Sequence, residues 1–289
     1  MEYKSLEQLT NIAKERKCPI WRVVMEDDCK ERLVDETDVF ETMRSMYRAM
    51  KEADQNYDGS LRSGSGMAGG DGEIFEKFKN SGKSLFGPFL CDVVEKSIKM
   101  GESNACMRRI VAAPTAGSCG VIPAVFISYE QHKNVSEDRM VEALFICAGV
   151  GAVIAENASI AGAEGGCQAE IGSAAAMAAA GITYLEGGDD EMIVHAAALS
   201  LKNMLGLTCD PVAGLVEVPC IKRNVFGAVN AIAASQLALA GIRSVITPDE
   251  VIDSMRRIGA MLPACLRETG EGGLAVTPTG LKIAKDIRS

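Results

Sequence analysis

The run SAAAMAAAG, from Ser173 to Gly181, constrains the fold more than any other stretch of the chain. None of its side chains is aromatic or branched at Cβ. Helices with such small side chains can approach one another closely, so this run is expected at the centre of a helical assembly. Composition agrees: 47% of the 289 residues are hydrophobic but only 5% are aromatic, leaving Ala, Val, Ile, Leu and Met to fill the core. There is no sustained period-two alternation and no Asn-Gly hairpin signal. The expected class is therefore all-α, mainly helical. Two capping boxes support it. Ser5-Leu6-Glu7-Gln8 precedes Leu9, Ile12 and Ala13. Thr247-Pro248-Asp249-Glu250 precedes Val251, Ile252, Met255 and Ile258 at helical spacing. Thr277-Pro278 should start a last short helix.

Organisation changes near Tyr57. Residues 1–56 are charged and amphipathic and should form about three helices, an N-terminal layer. DGSLRSGSGMAGGD, from Asp58 to Asp71, reads as a glycine-rich loop. Beyond it the sequence turns Ala- and Gly-rich. We expect one large helical domain over 1–289, with the layer at 1–56 and the functional core at 57–289. The net charge of −9 disfavours nucleic acid as a partner. The N-terminus has no apolar signal region. The longest apolar run, Ala143 to Ala155, is too short for a bilayer of roughly 30 Å and reads as a buried helix, so no membrane partner is expected. A cytoplasmic location follows.

Several motifs fail on context. GSGMAG (Gly64 to Gly69) matches a dinucleotide fingerprint, but SLRS rather than an apolar strand precedes it. Gly82-Lys83-Ser84 resembles the end of a phosphate-binding loop whose first glycine is replaced by Lys77. Ala116-Gly117-Ser118-Cys119-Gly120 resembles a nucleophile elbow with alanine in its first position. Of the two histidines, His195 falls mid-helix among apolar residues and His132 at a helix end, so a Ser/His/Asp hydrolase is poorly supported.

The cysteines remain. Ten in one chain exceed what packing requires, disulfides are disfavoured in the cytoplasm, and no C-x-x-C spacing occurs. Cys147, Cys91 and Cys106 read as core or helix residues. Cys167 (GGCQ), Cys209 (LTCDP) and Cys220 (EVPCIKRN) instead sit in loop-like contexts. Glycine and proline allow tight turns whose inward N–H groups suit thiolates on a metal or an iron–sulfur cluster. Small buried thiols are the other reading of the same three residues.

The stretches SGKSLFGP, APTAGSCGVIPAV, NASIAGAEGGCQAEIGSAAAMAAA, LKNMLGLTCDPVAGLVEVPCIKRN and LRETGEGGLAVTPTG resemble the α chain of the iron–sulfur-dependent L-serine dehydratases, or L-serine ammonia-lyases. The likeness is to the two-chain form and covers essentially the whole chain. It implies a helical catalytic domain, conversion of L-serine to pyruvate and ammonia, and a separate β chain as partner. It also implies a [4Fe–4S] cluster on Cys167, Cys209 and Cys220. The motif APTAGSCG departs from the family at Cys119, where a small residue, commonly alanine, is usual; this thiol is either passive or an extra ligand.

That chemistry would use an iron left open by the three cysteines as a Lewis acid on the serine hydroxyl and carboxylate. The expected substrate-binding residues are Thr115, Gly117 and Ser118 in the loop Pro114 to Gly120, whose N–H groups suit a carboxylate, with Asn157, Ser159 and Gln168 before and after Cys167. Thr115 and Lys83 are the expected catalytic residues, Lys83 as base. The glycine-rich loop, with Ser63, Ser65 and Asp71, is expected to close over the site. Rival readings are an iron–sulfur L-cysteine desulfidase on the same scaffold, a pyridoxal phosphate dehydratase, and a cluster-bearing scaffold or sensor subunit.

Overall fold

The computed structural model describes residues 1–288, and it is all-α. Three helices open the chain: α1 (Leu6–Arg16), α2 (Ile20–Arg32) and α3 (Glu36–Gln55). After the glycine-rich loop come α4 (Asp71–Asn80), α5 (Pro88–Ala105), α6 (Val121–Lys133) and α7 (Glu137–Asn157). A single turn, α8 (Gly162–Gly165), leads to α9 (Ser173–Leu185), α10 (Asp190–Met204), α11 (Cys220–Leu239), α12 (Pro248–Met261) and α13 (Pro278–Arg288). The described residues form no strand; an isolated parallel bridge joins Cys209 to Arg267.

The helix ends follow the expected chemistry with one difference. Thr247 and Glu250 form the full reciprocal box at the start of α12. At α1, Ser5 Oγ accepts from Gln8 N (3.0 Å), but the Gln8 side chain takes the N–H of Lys4 rather than that of Ser5. The three N-terminal helices and the helix after Thr277 appear as expected.

The alanine run forms α9, in which every residue from Ser173 to Thr183 is buried. Around α9 pack α6, α7, α10 and α11, while α2 and α3 cover the far side of α7. Small side chains make the close approach possible. At Gly181 an added Cβ would stand 2.5 Å from Phe126 Cζ, 2.7 Å from Cys147 Sγ and 3.1 Å from the Ala143 carbonyl oxygen. The apolar run at Ala143 extends into the 21-residue α7, longer than the run alone suggests. By length and composition α7 could cross a membrane, but 67% of its apolar window is buried by the neighbouring helices.

This crowding gives a direct expectation. Gly181→Ala should gain about 1 kcal/mol of helix propensity but lose more by overpacking, for a net destabilisation of about 1–2 kcal/mol. A urea midpoint at or above that of the parent chain would show that α7 and α6 yield more easily than their contacts indicate.

Candidate active site

The three loop cysteines arrive from separate segments. Cys167 follows α8 and precedes a π-helical turn, Gln168–Gly172, a distortion often found at functional sites. Cys209 lies in the loop after α10, where its N–H donates to the Leu266 carbonyl (2.9 Å) and its carbonyl accepts from Glu268 N (2.8 Å). Cys220 is the first residue of α11. All three are buried.

The three thiols act on one another electrostatically. Burial pushes Cys167 up to about 11, opposed by the charge of Arg223. Burial pushes Cys220 up to about 12, reinforced by Cys167 and Glu170. Cys209 is raised by burial and then by Cys167, Glu170 and Cys220. Each thiol therefore lies within the electrostatic reach of at least one other. Among the described residues, no three His, Cys, Asp or Glu side chains converge closely enough for a single metal ion.

Arg223, one turn into α11, ties the segments to one another. Its Nη1 donates to the Thr208 carbonyl (2.7 Å) and its Nη2 to Asp210 Oδ1 (2.8 Å), flanking Cys209 on both sides. Its charge also lies against Cys167. Asp210 is buried, and its other oxygen accepts from Leu274 N (2.9 Å), fastening the C-terminal segment to the Cys209 loop.

Glu170 stands beside the thiols. Thr115 Oγ1 donates to its Oε1 (2.8 Å), and its Oε2 is 4.0 Å from Cys209 Sγ. Two glycines make room for it. A Cβ on Gly117 would stand 2.9 Å from Glu170 Oε1. A Cβ on Gly162 would stand 2.9 Å from Glu170 Oε2, 3.1 Å from Glu268 Oε2 and 3.2 Å from Cys209 Sγ. Burial raises the Glu170 pKa; the Thr115 hydrogen bond opposes the rise and Glu268 adds to it. Glu268 reaches this spot from a backbone with φ +65°, a conformation uncommon for a side-chain-bearing residue.

The expected site residues divide. Thr115, Gly117 and Ser118 lie together: Thr115 caps the short 3₁₀ turn Ala116–Ser118 and its hydroxyl is 3.1 Å from Ser118 Oγ. Ser159 bonds Glu164 Oε2 (2.6 Å) just ahead of Cys167. Gln168 is sealed from solvent; its Nε2 donates to the Met255 carbonyl (3.0 Å) and its Oε1 accepts from Gly206 N (2.9 Å), so it braces the Cys209 loop against α12. Asn157 donates to the Lys4 and Val153 carbonyls (2.7 and 2.9 Å), which commits it to the N-terminal segment.

Lys83 is a correction. It is exposed, and the adjacent Ser84 packs on Cys91 near the start of α5 (3.2 Å). The site lies at the other end of that helix, where Asn104 donates to the Ala116 carbonyl (3.2 Å). The thirteen steps from Cys91 to Asn104 span about 20 Å of helix, far beyond the reach of a base.

Other residues had no place in the sequence reading. Glu170 lies three residues after Cys167, and Arg223 and Asn224 lie three and four after Cys220. The last two spacings put their side chains on the same helix face as Cys220, which was the available signal. Cys119 is buried behind the Thr115 loop against the Met100 carbonyl (3.8 Å), and burial pushes it up to about 12. The glycine-rich loop is anchored by two buried carboxylates. Glu217 accepts from Ser63 and Ser65 (2.7 and 2.6 Å), and Glu102 accepts from the backbone N–H groups of Gly69, Asp71 and Gly72.

Fold and site define a helical protein in which three cysteines, an arginine and a half-buried glutamate lie beside a hydroxyl-bearing turn. The chain belongs to the serine dehydratase alpha chain family, whose pattern it matches over residues 15–275. A probable L-serine dehydratase alpha chain of Bacillus subtilis (strain 168) is 46% identical over 285 residues, covering 99% of this chain and 95% of that protein. The L-serine dehydratase alpha chain of Peptoniphilus asaccharolyticus is 39% identical over 281 residues, 97% and 96% of the two chains. L-serine dehydratase TdcG of Escherichia coli (strain K12) is 44% identical over 182 residues, 62% of this chain but 40% of that protein.

The raised Glu170 pKa has a measurable consequence. A carboxyl raised above its ordinary 4.5 holds its proton more tightly in the folded chain than in the unfolded one. Its stabilising effect is complete below the unfolded value and is lost as pH rises through the folded value. Glu170→Gln should therefore melt higher than the parent at about pH 7, with the gap closing toward about pH 4. A variant that melts lower at neutral pH would mean that the carboxylate is stabilised there instead.

Proposed function

We propose that this chain is the catalytic α half of an L-serine dehydratase, an ammonia-lyase that converts L-serine to pyruvate and ammonia. The observation that carries the reading is the meeting of Cys167, Cys209 and Cys220 around Arg223, beside Glu170 and Thr115. Family membership supports it.

The residues present fit a [4Fe–4S] cluster. The donors are three thiols from three segments, mutually close but not converged to single-ion spacing. The charge of Arg223 opposes the burial-driven rise at Cys167 and Cys220. When bound, the cluster supplies Lewis acidity through an iron that the three cysteines leave open.

The chain's own groups account for substrate binding and for protonation of the leaving hydroxyl. Elimination must remove a weakly acidic Cα proton and a poor leaving group, hydroxide. In the Thr115 turn, the N–H groups of Ser118 and Cys119 turn back on local carbonyls and that of Gly120 donates to Asn224. The N–H groups of Ala116 and Gly117 are then the donors for the substrate carboxylate. Glu268 offers a carboxylate to the substrate ammonium. Burial favours the protonated form of Glu170, which suits it to give a proton to the departing hydroxyl. Released aminoacrylate then tautomerises and hydrolyses to pyruvate and ammonia.

The partner in this reading is a β chain. The two relatives covered nearly end to end are named alpha chains, whereas 182 aligned residues make up only 40% of TdcG, which therefore carries a further segment. A cytoplasmic location accords with ten free cysteines.

The test is an anaerobic preparation supplied with ferrous iron and sulfide, then assayed with and without the β chain on L-serine, L-threonine and L-cysteine. The wild-type pair should hold about four irons per α chain and form pyruvate fastest from L-serine. Changing Cys167, Cys209 or Cys220 to Ala should remove activity and most of the iron, whereas Cys147→Ala should disturb packing only. A full iron complement after Cys209→Ala would sink the ligand assignment. Sulfide release from L-cysteine exceeding pyruvate formation from L-serine would favour the desulfidase.

A further inference from the structure

The first turn of α11 does more than carry Cys220. Arg223 and Asn224 follow it at helical spacing and point to different parts of the site. Arg223 grips the chain on both sides of Cys209, through the Thr208 carbonyl and Asp210, with its charge against Cys167. Asn224 is 1% exposed and makes three hydrogen bonds. Its Oδ1 accepts from Gly120 N (2.8 Å), and its Nδ2 donates to the Gly117 carbonyl (2.8 Å) and to the Cys220 carbonyl (2.9 Å). One side chain therefore reaches the other two cysteine segments, and the next reaches both ends of the turn that holds Gly117 and Ser118.

We propose that Arg223 and Asn224 are positioning residues with separate tasks. Arg223 sets the Cys167 and Cys209 segments relative to Cys220, and Asn224 sets the Thr115–Gly120 turn against the same helix start. Neither task needs contact with substrate. The argument rests on the planar guanidinium, whose fixed fork meets two acceptors at once; a lysine carries the same charge but cannot span them. Likewise an amide can accept from Gly120 and donate to two carbonyls together, whereas aspartate loses both donated bonds. Asp210, buried and holding Leu274 by its other oxygen, extends the Arg223 link to the C-terminal segment that carries Glu268. The inference deepens the reading of the three cysteines as one site, but its test does not depend on a cluster.

Backbone hydrogen–deuterium exchange of the full-length chain, prepared without iron, separates the two tasks. In Arg223→Lys, amides in peptides spanning 166–172 and 205–212 should exchange at least about tenfold faster, with α9 (174–184) unchanged. In Asn224→Asp the acceleration should be confined to 115–120, leaving 205–212 at the wild-type rate. Unchanged exchange in Arg223→Lys, or an equal rise in α9, would overturn the Arg223 assignment, the second because it reports general loosening. Acceleration of the same peptides by both variants would overturn the division of labour. A second measurement is iron and sulfide per chain after anaerobic loading: Arg223→Lys should retain less than about half of the wild-type content, and full retention would contradict the proposal. If the wild-type chain binds no iron, the cluster reading fails, while the exchange pattern still decides the role of the two side chains.

Discussion

The site depends on the fork of Arg223. Three cysteines widely separated in sequence come from the residue before a π-helical turn, an irregular loop and a helix start; a backbone bond from Gln168 N to the Leu207 carbonyl (3.0 Å) joins the first two segments, and Arg223 adds the link from both to the helix start. The guanidinium supplies the common reference. It meets the Thr208 carbonyl and Asp210 in directions set by its planarity and leaves its charge against Cys167. Burial works against both the thiolates and the arginine. Breaking the group by removing one partner would strand buried charge, which is more costly than the net worth of the contact when it is made.

The scaffold beneath makes this arrangement rigid. The alanine helix α9 lets α7, α10 and α11 pack at short range, and α11 presents its first turn to the site. The same α11 start receives the glycine-rich loop through Glu217, three residues before Cys220. That loop, whose spacing imitates a phosphate-binding fingerprint, wraps its N–H groups around the Glu102 carboxylate, with Tyr57 donating as well (2.5 Å). A concave run of backbone N–H groups accepts any anion of suitable size, and here the chain provides its own. The rejection of the nucleotide reading from sequence context thus has a physical counterpart.

Helical class, the N-terminal helices, the capping box at Thr247 and the buried alanine run were all legible in the sequence, because caps and periodicity are local properties. The loop contexts of the three cysteines left both a shared cluster and separate buried thiols open, and motif resemblance decided between them, since no local rule connects residues so far apart. Gln168 and Asn157 have the right chemistry to bind a substrate, yet the fold engages both with backbone groups from α12, the Cys209 loop and the N-terminus. Lys83 failed for a geometric reason, the length of α5. Glu170 escaped notice because a glutamate near a glycine-rich turn reads as solvated; only the structure shows Thr115, Gly117 and Gly162 closing around it.

The central claim is that three thiols hold a cluster and leave one iron to the substrate. Mössbauer spectra of the ⁵⁷Fe-loaded, anaerobic protein with and without L-serine test it most directly. The account predicts one iron distinct from the others, with a signal that shifts when serine is added. Equivalent irons that ignore serine would contradict it and point to a fourth protein ligand.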